Sequence, residues 1–329
     1  MLITAGTLDE VGQTALTLLR KAGCEPVIPA RYGPHTEETL LPLLPGYDAV
    51  LASIDSFTAP VLDSPAAARL KIISRWGVGC DAIDVPAATR HGIVVANTPG
   101  VLNETVADYV FALLLAVARR IHVAHASVSG GRWQPPWGHD VHGKTLGLVG
   151  CGGIGQAMAR RARGFDLRLL GYDVAPSPAA EETGIRFVPL DELLAQSDFV
   201  SLHAALTPQS RGLLGEAQLR RMKPSAYLIN AARGPLVDDT ALVRALQEGW
   251  IAGAALDTFG TEPLPAEHPL RRAPNVLLTP HCASFARETG ERVSLAAAQA
   301  IVDLSQGRRP QWVVNEPVFR SPRLRAALK

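Results

Sequence analysis

The fold is decided by the stretch Thr145-Leu146-Gly147-Leu148-Val149-Gly150-Cys151-Gly152-Gly153-Ile154-Gly155. Its first half is apolar, as in a buried strand, and its second half has the pattern G-x-G-x-x-G. Residues 154–163 then have helical spacing, so the glycines lie between a strand and a helix. In that setting the first glycine allows a tight turn, the second lets a pyrophosphate approach, and the third lets helix and strand pack closely. The stretch therefore predicts a dinucleotide-binding βα unit.

The predicted cofactor site consists of this glycine loop and one acid. Free N–H groups and the helix dipole favour a pyrophosphate at the helix N-terminus, so we assign to cofactor binding the loop residues Gly150, Gly152, Gly153, Ile154 and Gly155. Asp173 follows the next predicted strand, about 20 residues beyond the loop, where an acid hydrogen-bonds a ribose 2′-OH. A carboxylate there repels a 2′-phosphate, so the predicted cofactor is NAD rather than NADP.

Length, composition and charge exclude several classes of protein. The chain has 329 residues, 47% of them hydrophobic, which suits two packed domains rather than one or a disordered chain. The net charge of +1 gives no sign of a nucleic-acid partner. The N-terminus is not a signal peptide, and the longest apolar run, residues 110–118, is about half a membrane span. We therefore expect a cytoplasmic protein without a membrane contact.

The cysteines do not predict a metal site. Four cysteines lie far apart and form no C-x-x-C pair, which favours neither zinc nor a disulfide framework: Cys24, Cys80, Cys151 and Cys282. A reducing compartment fits this usage best, and we predict no metal.

Apolar segments alternate between strand-like and helical patterns along both halves of the chain, which predicts mostly parallel sheets. In the first half we predict strands at 2–5, 26–29, 49–52, 71–74 and 93–95, and a helix over 8–22. A long helix over 103–122 is apolar on most of its surface and should be buried on several sides. Residues 130–143 are predicted to form a loop. In the second half we predict strands at 145–149, 167–172, 199–202, 226–229, 251–255 and 276–278, and a last helix near 283–306.

Polar side chains follow three of the later predicted strands, at the sheet edge where open α/β proteins bind ligands. Arg233 ends the segment Ile229-Asn230-Ala231-Ala232-Arg233. Asp257 and Glu262 follow the next strand, and His281 follows the one after that. The three segments together therefore indicate a ligand-binding site at this edge of the sheet.

These motifs, together with Gly77-Val78-Gly79-Cys80-Asp81 and in this order along the chain, resemble the D-isomer-specific 2-hydroxyacid dehydrogenase family. The resemblance implies two doubly wound, parallel-sheet α/β domains: a flavodoxin-like substrate domain and a Rossmann NAD-binding domain, with a cleft between them. It implies that residues 1–98 and 287–329 form the substrate domain and that 99–286 form the NAD-binding domain. It also implies a homodimer through the helix near 103–122.

The resemblance also implies roles for individual residues. Arg233 would hold the substrate carboxylate and polarise the 2-keto group, His281 would be the acid/base, and Glu262 would be its acid partner. Val78 and Gly79 would offer backbone N–H groups to the substrate carboxylate. Three further residues would lie at the cofactor: Asp257 near the nicotinamide carboxamide, His203 and Ala231.

The sequence leaves two kinds of substrate as candidates. Arg75 matches a position where family members that act on 3-phosphoglycerate often carry an arginine, so 3-phosphoglycerate is the first candidate. Reduction of glyoxylate or hydroxypyruvate is the alternative, and in that case Arg75 forms an ion pair within its own domain. Beyond these remain a non-enzymatic NAD-sensing interaction module, and formate or phosphite oxidation on the same fold, which rank lower.

Overall fold

The computed structural model describes residues 1–328 and divides the chain into two compact units. One unit combines Met1–Leu102 with the segment from Phe285 onward, and the other is Asn103–Ser284. The unit boundaries therefore fall at 102/103 and 284/285, against the expected 98/99 and 286/287.

The first unit is built on a four-stranded parallel sheet in the order β1-β2-β3-β4. Its strands are β1 Leu2–Ile3, β2 Ala49–Ala52, β3 Ile72–Arg75 and β4 Val94–Ala96. Its N-terminal helices are α1 Leu8–Val11, α2 Gln13–Lys21, α3 Glu37–Leu40, α4 Ala59–Asp63 and α5 Val85–Arg90. The strand predicted at 26–29 is wrong, since Val27 makes only an isolated bridge to Leu2.

The second unit is built on a seven-stranded parallel sheet in the order β11-β10-β9-β8-β5-β6-β7. Its strands are β5 Thr145–Val149, β6 Arg168–Tyr172, β7 Arg186–Phe187, β8 Phe199–Leu202, β9 Tyr227–Asn230, β10 Gly253–Leu256 and β11 Val276–Leu278. Its helices are α6 Asn103–Ala118, α7 Ile121–Ser129, α8 Gly153–Ala162, α9 Pro178–Glu181, α10 Leu190–Gln196, α11 Glu216–Arg221 and α12 Asp239–Gln247. Two parallel-sheet α/β units confirm the predicted fold class.

The last long helix, α13 Arg287–Ser305, returns to the first unit. It packs against α2 and β3, where Ser74 Oγ donates to the Ala297 carbonyl at 2.8 Å. The Trp76 indole N–H donates to Ser294 Oγ at 2.9 Å. The C-terminal segment thus completes the core of the N-terminal unit.

The long helix predicted over 103–122 is shorter in the structure. It ends at Ala118, and Arg120 takes a left-handed backbone conformation (φ 52°) before the chain resumes as α7. Within its unit α6 contacts α8 and the strands β9, β10 and β11, so it is buried on more than one side. In the part of the chain that the structure describes, no helix is long and apolar enough to cross a membrane.

The order of the large sheet places the glycine loop. Strand β5 pairs with β8 on one side and β6 on the other, so the strand order reverses at β5. In open α/β sheets ligands bind beyond the carboxyl ends of the strands at such a reversal. The loop at residues 150–155 begins at that point.

Candidate active site

The glycine loop has the geometry that a pyrophosphate requires. Gly150 has φ +92°, a left-handed conformation that favours glycine, and a Cβ at this position would lie 2.5 Å from the Ala204 backbone N. A Cβ on Gly152 would meet nothing within 4 Å, so the space beside it is open. Gly152 is the N-cap of α8 and provides no side-chain acceptor, so the first N–H groups of the helix have no side-chain cap. The loop therefore fits a dinucleotide phosphate.

Asp173 lies beside this loop, directly after β6. Its Oδ2 accepts the Cys151 backbone N–H at 2.7 Å, and its Oδ1 accepts that of Ala175 at 2.9 Å. These two bonds fix the carboxylate at the carboxyl end of β6, where a cofactor ribose would lie. The residues present thus fit NAD.

The remaining residues assigned to the cofactor follow neighbouring strands of the same sheet. Ala231 comes directly after β9 and His203 directly after β8. The His203 backbone N–H donates to the Val149 carbonyl at 2.7 Å, and its Nε2 lies 2.9 Å from Ser201 Oγ. Burial lowers the pKa of His203 to about 4, so this imidazole is neutral at neutral pH.

His281 and Glu262 form the hydrogen-bonded pair that acid/base chemistry requires. His281 Nδ1 lies 2.6 Å from Glu262 Oε2, and the other carboxylate oxygen accepts the Phe259 backbone N–H at 2.9 Å. Burial acts to raise the pKa of Glu262, but the hydrogen bond with His281 and the Arg233 guanidinium outweigh it and lower that pKa below its usual value. The ionised Glu262 accepts a hydrogen bond from the His281 ring and so fixes the orientation of the imidazole.

Asp257 holds the segment that carries His281. It is fully buried, and its carboxylate accepts the Thr279 hydroxyl at 2.5 Å and the backbone N–H groups of Cys282 and Ala283 at 3.0 and 2.9 Å. His281 itself has φ 53°, which is uncommon for a residue other than glycine. The hydrogen bonds to Asp257 on both sides of His281 stabilise this backbone and thereby position the imidazole.

Arg233 is positioned by a buried asparagine that the sequence analysis gave no role. Asn230, 1% exposed, donates from Nδ2 to the Arg233 carbonyl at 3.0 Å and accepts the Ala232 backbone N–H at 3.1 Å. Both bonds close the turn that follows β9. The signal in the sequence was a polar residue at the end of an apolar strand, shortly before the arginine.

The sequence also did not predict a contact between Tyr109 and Cys282. Tyr109 on α6 places its hydroxyl 2.9 Å from Cys282 Sγ. Burial raises the pKa of the Cys282 thiol, and burial together with this contact raises the pKa of Tyr109 to about 12. Both groups are therefore protonated at neutral pH, and a protonated thiol is a poor nucleophile, so Cys282 packs beside His281 without a part in the chemistry.

The other three predicted site residues belong to the first unit. Arg75 ends β3 and is 9% exposed, with Nε donating to the Gly79 carbonyl at 3.1 Å and Nη1 donating to the Trp76 carbonyl. Val78 follows in the same loop, and its carbonyl accepts Asn97 Nδ2 at 2.8 Å. Arg75 thus shapes the loop that contains Val78 and Gly79.

Across residues 1–328 the structure contains no group of three or more His, Cys, Asp or Glu side chains that could hold a metal ion.

A glycine-loop domain with a His–Glu pair at the carboxyl edge of its sheet is the architecture of an NAD-binding oxidoreductase. The family model described as D-isomer specific 2-hydroxyacid dehydrogenase, NAD binding domain, matches residues 111–283. The chain belongs to the D-isomer-specific 2-hydroxyacid dehydrogenase family.

Two curated relatives and one solved structure illustrate the similarity. A glyoxylate reductase of Korarchaeum cryptofilum is 45% identical over 87% of this chain and 88% of its own length. A glyoxylate reductase of Thermofilum pendens is 43% identical over 94% of each chain. The crystal structure of the TT0316 protein from Thermus thermophilus superposes with a TM-score of 0.85 at 41% identity, over 95% of this chain and 99% of that one.

Proposed function

We propose that the protein reduces glyoxylate to glycolate with NADH, which is the alternative rather than the first candidate of the sequence analysis. The relatives named glyoxylate reductase support this substrate, since they match nearly the whole chain at 43–45% identity. The observation that carries the reaction type is the 2.6 Å contact between Glu262 and His281 at the carboxyl edge of the NAD-binding sheet.

Four residues of the second unit have separate roles in carbonyl reduction. His281 donates a proton to the carbonyl oxygen of the keto acid, and Glu262 stabilises the imidazolium before that transfer. Arg233 binds the substrate carboxylate and polarises the adjacent carbonyl, because a guanidinium offers two parallel donors to a carboxylate. When bound, NADH supplies the hydride. Asp173 favours NADH over NADPH by accepting the ribose 2′-OH and repelling a 2′-phosphate.

The placement of Arg75 supports an unphosphorylated substrate. Its guanidinium donates to two backbone carbonyls of its own loop, whereas a phosphate selector needs its donors directed to the ligand. We assign Arg75 the role of holding the loop that contains Val78 and Gly79, whose backbone N–H groups we propose as donors to the substrate carboxylate.

We also propose a cytoplasmic homodimer. The four free cysteines favour a reducing compartment. Because α6 is largely covered within its own unit, the dimer contact would extend from its end into α7 and the following loop. Large apolar side chains are exposed there, namely Ile121, Val128, Trp133 and Trp137.

A comparison of substrates tests the proposed reaction. We expect kcat/KM with NADH to be highest for glyoxylate, lower for hydroxypyruvate, and at least about 10-fold lower for phosphohydroxypyruvate, because the Arg75 guanidinium donates to backbone carbonyls of its own loop. NADPH should support slower turnover than NADH with each acid. Preferential turnover of phosphohydroxypyruvate would refute the proposed substrate, and a preference for NADPH would refute the role of Asp173.

A further inference from the structure

Glu262 lies in a part of the second unit that has no regular secondary structure. Residues 257–268 connect the end of β10 to a short 3-10 helix, Pro269–Arg272, and contain neither strand nor helix. We refer to residues 257–265 as the Glu262 segment. A side chain on such a segment keeps its place through the contacts that the segment makes with its surroundings. The 2.6 Å contact between Glu262 and His281 therefore depends on what holds the Glu262 segment.

The start of the Glu262 segment packs against the turn that carries Arg233. Gly234 directly follows Arg233, and a Cβ at this position would overlap the carbonyl carbon of Phe259. Glycine, which has no Cβ, lets the two backbones approach this closely. The Phe259 N–H donates to Glu262 Oε1 at 2.9 Å. One oxygen of Glu262 is thus fixed relative to the turn of Arg233.

The end of the Glu262 segment is held by Arg271, a residue to which the sequence analysis gave no role. Its Nε donates to the Pro265 carbonyl at 2.8 Å and its Nη2 donates to the Leu264 carbonyl at 2.6 Å. Hydrogen bonds from a charged donor are stronger than those between neutral groups. The Leu264 side chain, 9% exposed, packs in the hydrophobic core of the unit. The guanidinium therefore joins the 3-10 helix before β11 to the residues that closely follow Glu262.

A histidine links the same 3-10 helix to α12. His268 Nδ1 accepts the Leu270 backbone N–H at 3.3 Å, and its Nε2 lies 3.7 Å from Asp239 Oδ2. Asp239 is in the first turn of α12, the helix that follows the turn of Arg233. The 3-10 helix that carries Arg271 is thereby tied to the rest of the unit, so its guanidinium can hold the Glu262 segment in place.

We propose that Arg271 is a positioning residue for carbonyl reduction, because it holds the Glu262 segment so that Glu262 stays hydrogen-bonded to His281. The inference rests on the proposed function, in which Glu262 is the partner of the proton donor. Arg271 acts through Glu262 and not on the substrate. Without its two hydrogen bonds, Leu264 is anchored by its side chain alone. Glu262 then pairs with His281 in only a fraction of the molecules, and turnover falls while the fold is kept.

Steady-state kinetics with glyoxylate and NADH test the proposal on two adjacent arginines. Arg271→Met keeps the stem of the side chain and removes its donors, and Arg272→Met makes the same change in the same 3-10 helix. Arg272 is the matched control because its Nη2 binds the exposed carboxylate of Glu267 at 3.1 Å. We expect Arg271→Met to lower kcat by about 5- to 20-fold and to change KM by less than about 2-fold, since it disturbs the catalytic pair and not substrate binding. Arg272→Met should stay within about 2-fold of the parent chain in both constants.

A double-mutant cycle separates the positioning of Glu262 from a general effect on the structure. In the Glu262→Ala background, where no carboxylate is left to position, Arg271→Met should change kcat by less than about 2-fold. The same fold-loss in both backgrounds would overturn the proposal. A loss in Arg272→Met as large as that in Arg271→Met would also overturn it, because removal of either positive charge would then have the same effect.

Hydrogen exchange followed by mass spectrometry measures the Glu262 segment without substrate. The Phe259 N–H is bonded to Glu262 Oε1, and peptides that contain it should exchange about 5-fold or more faster in Arg271→Met, but at the parent rate in Arg272→Met. Unchanged exchange in Arg271→Met would overturn the proposal. Equal turnover by the parent chain and Glu262→Ala would refute the role of Glu262 in the proposed function and this inference with it. A loss of turnover in Glu262→Ala without one in Arg271→Met would overturn the inference alone.

Discussion

Glu262 and His281 are brought together by two turns that follow different strands, β10 and β11. One carboxylate oxygen of Glu262 is held by the Phe259 backbone and the other by the imidazole. This arrangement fixes both the orientation of the ring and its favoured charge, which is what a proton donor requires. Removing the charge of Glu262 while keeping its shape therefore separates electrostatics from positioning.

We predict that Glu262→Gln lowers kcat for glyoxylate reduction by about 10- to 100-fold with little change in KM. The loss should fall on turnover rather than on substrate binding, because glutamine keeps the shape of the side chain and removes the negative charge beside the imidazole. Steady-state kinetics with glyoxylate at about pH 7 measure this. Glu267→Gln, at an exposed position, is the matched control and should behave as the parent chain. An unchanged kcat, or a loss that appears only in KM, would contradict the role of Glu262.

The residues proposed to act on substrate or cofactor were recognisable in the sequence, and those that support them were not. Arg233, Glu262 and His281 stand in recognisable segments after apolar strands. Tyr109 and Thr279 act through contacts with residues that are adjacent only in the folded chain, such as Tyr109 with Cys282 across 173 positions. Side chains of these types also occur in ordinary strands and helices, so the sequence carries no specific signal for them.

Among the secondary-structure elements, the strands were predicted more accurately than the ends of the helices. Each apolar segment of the second unit formed the strand that its pattern predicted, within about two residues. The helix predicted over 8–22 is interrupted at Gly12, where a Cβ would lie 2.5 Å from the Leu8 Cα. The helix predicted over 103–122 is interrupted at Arg120, whose left-handed backbone no propensity scale favours. Hydrophobic periodicity reports neither break, because it registers which face is apolar and not the backbone conformation of a single residue.

At the start of the central strands, one ion pair stabilises the large sheet. Asp198 precedes β8 and accepts the Thr145 backbone N–H of β5 at 2.9 Å, while Lys223 Nζ lies 2.8 Å away from its other oxygen. Burial acts to raise the pKa of Asp198, but Lys223 and the Thr145 N–H lower it below its usual value. The folded state therefore binds this proton less readily than the unfolded chain.

We predict that Lys223→Met lowers the free energy of unfolding by about 1 kcal/mol at pH 7. Because the folded pKa of Asp198 is depressed, its contribution is present above the unfolded pKa and is lost as the pH falls through the folded pKa. The difference from the parent chain should therefore shrink toward zero in acid. Urea unfolding from about pH 7 down to about pH 3 measures it, with the exposed Lys21→Met as control. A difference that does not change with pH would mean that the side-chain stem of Lys223, not its charge, stabilises the sheet.

At the scale of the whole molecule, the packing of α13 explains why the first unit combines an N-terminal and a C-terminal segment of the chain. Its small side chains pack on the first unit, where a Cβ on Gly290 would lie 2.6 Å from Val11 Cγ2. The family resemblance implied this discontinuous domain, whereas composition and length predicted only that two domains exist. The sequence of α13 alone does not indicate which of the two sheets the helix packs against.

The exposed apolar side chains of α7 and the loop after it define the proposed dimer surface. We predict that the parent chain sediments as a dimer at micromolar concentration. Val128→Asp with Trp133→Asp should raise the dimer dissociation constant by at least about 30-fold, roughly 2 kcal/mol, because a charge would be buried in the contact. Sedimentation velocity measures this, with Val174→Asp as a control at an apolar residue that is 92% exposed elsewhere in the unit. A dimer unaffected by the double substitution would place the interface on another face.

The most direct test of the account is the measurement of His281→Asn for both turnover and NADH binding. Asparagine tolerates the left-handed backbone at this position, so the segment held by Asp257 should keep its conformation. We predict that kcat/KM for glyoxylate falls by roughly 10²- to 10⁴-fold, because the proton donor is lost, while the dissociation constant of NADH changes by less than about 2-fold. Turnover that survives the substitution, or a loss of NADH affinity as large as the loss of turnover, would contradict the role of His281 as the proton donor.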